Sequence, residues 1–97
     1  MEKFQIRTID ELCRVVIPVD FRRKLGLQKG DNVSLTHIGT EVVMQRADSD
    51  TNALTVCNID FLGRVILPAS IRRQMGWGEK GKIAMYHTGD SIILQSA

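Results

Sequence analysis

No apolar run in this sequence approaches the roughly 20 residues that a bilayer-spanning helix needs, so a helical membrane protein is excluded. Residues 1–9 are polar and mixed, without the apolar centre of a secretory leader. Only two cysteines occur, Cys13 and Cys57. They form no CxxC pair and have no histidine close by, so zinc-ligand spacing is absent. A cytoplasmic location with reduced thiols is the resulting expectation. Catalytic signatures are missing too. There is no Gly-x-Ser-x-Gly elbow, no Gly-rich phosphate loop and no HExxH. Neither enzymatic activity nor a cofactor nor a metal site is expected.

What is present is an ordinary globular composition. Of 97 residues, 43% are apolar and 25% charged, which argues against wholesale disorder. Net charge is only +2, with a pI near 8.7. Its distribution says more. Residues 1–30 carry seven basic side chains against four acidic ones. Much of that surplus is arginine, whose planar fork suits bidentate contacts to phosphate and guanine.

The chain matches itself without a gap at an offset of 50 residues. Residues 9–26 read IDELCRVVIPVDFRRKLG and residues 59–76 read IDFLGRVILPASIRRQMG. The agreement continues more loosely through His37/His87, Gly39/Gly89 and Gln45/Gln95. The organisation is therefore a repeat over 1–47, a polar linker over 48–52 and a second repeat over 53–97. A unit of about 45 residues is near the lower limit for folding alone, so the two repeats are expected to share one core.

Alternation of apolar and polar residues predicts a strand over 4–8, and the β-branched run predicts a short strand over 14–17. Pro18 suits the start of a helix, because its missing N–H would be unpaired there anyway. A helix over 19–25 follows, with Gly26 as its left-handed cap. Phe21 and Leu25, four residues apart, share its buried face. Residues 33–44 alternate around Gly39 as a hairpin. The second copy predicts strands over 54–59 and 64–67, a helix over 69–75 and a hairpin over 82–95. Val15, Val16, Ile17, Val65, Ile66 and Leu67 are expected in the core, and Trp77 in the core or an interface.

With these elements in place, the stretches IDELCRVVIPVDFRRKLGL and IDFLGRVILPASIRRQMGW each resemble the motif of the AbrB family of transition-state regulators. The pattern is an Asp, a Gly-Arg pair, a β-branched run, a Pro, and an Arg-rich short helix ending in Leu-Gly. The resemblance implies a mainly β fold with one short helix per repeat. More specifically, it implies a swapped-hairpin (double-split) β-barrel formed by two repeats. It also implies a transcription regulator that binds double-stranded DNA, nucleoid-associated, through an arginine-rich face. Carried over by position, the DNA-binding residues are Arg7, Arg14, Arg22, Arg23 and Lys24 in the first copy and Arg64, Arg72 and Arg73 in the second.

The copies depart from each other at informative places. The motif glycine is Gly63 in one and Cys13 in the other, where a positive φ would strain the cysteine. Arg7 corresponds to Cys57 and Lys24 to Gln74, so the first copy is expected to be the stronger half. One helix arginine per copy is expected to be structural, on a solvated surface or paired with Asp10 or Asp60, leaving the other, with Arg14 and Arg64, for the nucleic acid. His37 and His87 read as half-exposed strand-end residues, with a metal or pH-sensing site as the alternative. Cys13 and Cys57 read as small, partly buried side chains, with a redox switch as the alternative. Self-association is expected, as an intrachain pseudo-dimer, a homodimer or a larger assembly. A MazE-like antitoxin and a non-DNA-binding assembly module are the rival functions. The chain stops at Ala97, just after the last predicted strand. It leaves no tail for wrapping a toxin, so no toxin partner is expected.

Overall fold

The computed structural model describes residues 4–47 and 55–97. The expected linker, 48–52, and the first residue of the strand expected over 54–59 lie outside the described residues. In chain order the first repeat forms β1 (Phe4–Thr8), β2 (Arg14–Val16), α1 (Val19–Lys24), β3 (Asn32–Ile38) and β4 (Glu41–Ala47). The second forms β5 (Val56–Asn58), β6 (Arg64–Ile66), α2 (Ala69–Met75), β7 (Lys82–Thr88) and β8 (Ser91–Ser96). The result is a mainly β protein with antiparallel pairing and two short helices among the described residues.

Local chemistry accounts for these bounds. Pro18 and Pro68 sit at the N-caps in extended conformation and start the helices without losing an N–H bond. Past α1, Gly26 turns left-handed at φ 67° and the Leu27 N–H returns to the Arg22 carbonyl. That closes the helix by satisfying a carbonyl that has no partner within it.

The strands do not pair within their own repeats alone. One sheet runs β1-β7-β8-β4-β3-β5. The first strand of each repeat is laid on the hairpin of the other: β1 on β7 and β5 on β3. The two hairpins meet through β4 and β8, with Val43 opposite Ile93. A separate ribbon pairs β2 with β6, with Val15 opposite Val65. Both central pairings join residues 50 apart, so the two repeats are related by a pseudo-twofold axis.

One core results. Ile9, Ile17, Phe21 and Met44 from the first repeat pack with Ile59, Leu67, Ile83 and Leu94 from the second, all almost fully buried. Full burial of one such side chain contributes about 1.5–3 kcal/mol. Trp77 is core as well, with its indole N–H donating to Ser96 Oγ at 2.9 Å.

Two residues expected in the core are not there. Val16 and Ile66 are exposed, at 37% and 60%. In the β2–β6 ribbon, side chains alternate between faces, and only the face carrying Val15 and Val65 is covered.

Candidate nucleic-acid interface

The uncovered face of the β2–β6 ribbon carries four side chains. Arg14 stands opposite Ile66, and Val16 opposite Arg64. The face is thus a checkerboard of two arginines and two aliphatics around the pseudo-twofold.

Each arginine is held by the turn that precedes it. Asp10 Oδ1 accepts from the backbone N–H of Leu12 at 3.0 Å and of Arg14 at 2.7 Å. Asp10 Oδ2 accepts from Arg14 Nε at 2.7 Å. Asp60 repeats this with Leu62 and Arg64 at 2.9, 2.8 and 2.7 Å. The carboxylate grips the Nε edge of each guanidinium. The terminal Nη atoms of Arg14 and Arg64 make no hydrogen bond or ion pair among the described residues.

The aspartates therefore take Arg14 and Arg64 as partners, where pairing with a helix arginine was one of the expectations. Chain direction explains it. The tight turn brings residue i+4 back over the carboxylate, whereas the helix begins beyond Pro18. The helix arginines Arg22 and Arg72 find backbone partners instead. Their Nε atoms donate to the carbonyls of Ile17 and Leu67 at 3.2 and 3.1 Å.

Desolvation pushes the Asp10 and Asp60 carboxyls up. The hydrogen bonds from the Arg14 or Arg64 backbone and guanidinium, and from Leu12 or Leu62, outweigh it and hold both below their ordinary value of 3.8. A carboxyl whose folded value is depressed adds stability above its unfolded value and loses it as pH falls through the folded one. The double variant D10N/D60N should therefore unfold more readily than the parent at neutral pH. The gap should close below about pH 4. Urea midpoints across a pH series check this, and a gap that persists in acid would contradict it.

Position 13 settles a question of turn chemistry. Cys13 adopts φ 61° and Gly63 φ 77°. The motif turn is left-handed in both copies, and the cysteine bears the strain that glycine avoids. C13G should raise stability by up to about 1 kcal/mol, and G63A should lower it by about 1–2 kcal/mol, measured by thermal unfolding. The G63A substitution would also disturb an arginine. A Cβ on Gly63 would fall 2.7 Å from Arg22 Cζ, so the Arg22 guanidinium lies across this glycine, next to Arg64.

The remaining expected site residues fall into two groups. Arg23, Lys24 and Arg73 are exposed on the helices, with no hydrogen bond among the described residues. Arg7 is half-buried on β1, and one of its Nη atoms donates to Gln5 Oε1 at 2.9 Å. Its counterpart Cys57 is buried, and burial pushes that thiol up.

Sequence reading missed the apolar part of this surface. Leu12, Phe61 and Leu62, in the aspartate-held turns, are 60%, 84% and 65% exposed. The period-2 alternation of residues 14–17 was the available signal for Val16, since a buried Val15 and Ile17 require Val16 to point away. Nothing in the turn sequence announced the exposure of Phe61.

His37 and His87 are half-buried. The His87 ring packs 5.9 Å from that of Phe21. His37 lines two shallow depressions beside Gln74, of about 580 and 460 Å³. Among the described residues no group of three or more His, Cys, Asp or Glu is placed to hold a metal ion, and no helix is long and apolar enough to cross a membrane.

No family model and no curated protein matches this chain. Among solved structures, the solution structure of PHS018 from Pyrococcus horikoshii is similar over 97% of this chain and 87% of that one, with 20% identity and a TM-score of 0.50. The likeness is one of fold.

Proposed function

We propose that this protein is a DNA-binding transcription regulator of the AbrB type, built as a pseudo-dimer within one chain. One observation carries the reading. The β2–β6 ribbon presents Arg14 and Arg64 on its open face, each held through Nε by an aspartate, with Nη atoms left for a ligand. Fixing a guanidinium beforehand lowers the entropy cost of the contact it then makes. Exposed Arg23, Lys24 and Arg73 extend the positive surface along the helices.

The exchange of first strands between repeats supports the swapped-hairpin barrel as the finer description of the fold. A short tether supports the intrachain arrangement. It holds the second repeat at roughly millimolar effective concentration around the first, so a second chain in dilute solution is outcompeted. In this reading phosphate contacts supply most of the affinity. Base edges and the ease of deforming the duplex supply the preference.

Salt dependence tests the reading directly. With about four phosphates neutralised, affinity for a duplex should fall about a hundredfold between 50 and 200 mM salt. Fluorescence anisotropy with a labelled duplex reads this. Absence of binding at low salt would sink the proposal and favour an assembly module.

A further inference from the structure

The two ends of the proposed DNA face are chemically different, and Phe61 marks the difference. It sits in the 60–63 turn, three residues before Arg64, and is 84% exposed. The 28–31 turn of the first repeat docks here, with the Gly30 N–H donating to the Ile59 carbonyl at 2.8 Å. A cleft of about 320 Å³ runs between the two turns, lined by Phe61, Asp60, Lys29 and Gly30 among others. At the other end the 78–81 turn docks on Ile9 in the same way, with Lys80 N–H to the Ile9 carbonyl at 2.9 Å. The residues there that correspond to Phe61 and Lys29 are Glu11 and Glu79. One end thus presents a phenyl ring beside Lys29 and Asp31, and the other presents Glu11 beside Glu79 and Lys80, so the second end has no aromatic ring and one more negative charge.

We propose that Phe61 makes an apolar contact with a thymine methyl at one half-site, with Lys29 on the adjoining phosphate, so that the protein reads an asymmetric DNA site. This rests on the DNA-binding reading above. An aromatic ring so exposed adds nothing to the core, and covering it would recover hydrophobic free energy. Apolar side chains recognise thymine in the major groove by its methyl group. A second copy of the chain is a poorer cover. Packing this face on itself would set the Arg14 and Arg64 guanidiniums of two molecules against each other. A duplex brings the opposite charge.

The test starts from duplexes that the unaltered full chain selects from a random pool. F61A should bind the selected duplex about five- to twentyfold more weakly, with random-sequence binding and the salt slope unchanged. Replacing the site's thymines with deoxyuridine should weaken the parent by a similar factor and F61A hardly at all. F61E, which copies the other end, should lose affinity on random duplex too. Because Phe61 is exposed, all variants should melt like the parent. If the parent selects DNA but F61A binds it equally well, or loses equally on random DNA, the Phe61 assignment is wrong and the general reading survives. If the parent sediments as a larger assembly that F61A breaks up, the ring is an interface residue and the assignment is overturned. If the parent selects no duplex at all, the DNA-binding reading itself fails.

Discussion

Replacing Arg14 and Arg64 together with alanine should weaken DNA binding at least tenfold while leaving the protein folded. Each well-placed bidentate arginine contact to a base edge is worth about 1–3 kcal/mol, and each 1.4 kcal/mol is a factor of ten. The pair is therefore expected to lie between about thirtyfold and about ten-thousandfold. Folding should survive because Asp10 and Asp60 keep their bonds to the backbone N–H groups of residues 12, 14, 62 and 64. The turns stay closed without the guanidiniums. The companion R14K/R64K keeps charge but has no planar fork. It should retain random-sequence affinity while losing discrimination. Anisotropy on a selected duplex and on a random one separates the two effects, and circular dichroism checks the fold. Unchanged affinity for a selected duplex would remove these arginines from the interface.

The second large effect concerns stability. F21A should destabilise the protein by about 3–5 kcal/mol. Phe21 is 1% exposed and its ring meets His87 of the other repeat. Its loss would open a cavity between α1 and β7, at a seam between the two repeats. For a domain this small, 1 kcal/mol is about 4–8 °C in Tm, so a drop of at least about 12 °C is expected. Total stability is only about 5–15 kcal/mol for such domains, so urea unfolding at low temperature is the safer measurement. A loss under 1 kcal/mol would mean that the repeats do not depend on one another through this contact. The comparison with F61A is instructive. Both remove a phenyl ring, yet one should unfold the protein readily and the other should leave its melting untouched.

Local signals in the chain account for most of the secondary structure. Pro18 and Pro68 start the helices, Gly26 ends the first, and alternation over 4–8 and 33–44 marks strands that the structure contains. These features act over a few residues of backbone, so they are readable from adjacent positions. The candidate arginines were likewise legible as a repeated pattern. Their partners were not. The choice of Arg14 over a helix arginine by Asp10 depends on how tightly the turn closes.

The sequence by itself determined the duplication, the kind and order of the elements, and which residue types recur at each offset. Tertiary structure alone decided which strands pair, which face of β2 and β6 stays open, and which turns come together at each end. Those outcomes depend on residues far apart in the chain coming together, as with Val15 and Val65, 50 positions apart, or Lys29 and Phe61, 32 apart. A duplication makes this harder to foresee. Its two copies offer nearly equivalent edges to every strand, so periodicity cannot tell pairing within a repeat from pairing across repeats. Burial of one shared core breaks the tie, because neither repeat alone has enough apolar surface to fold on.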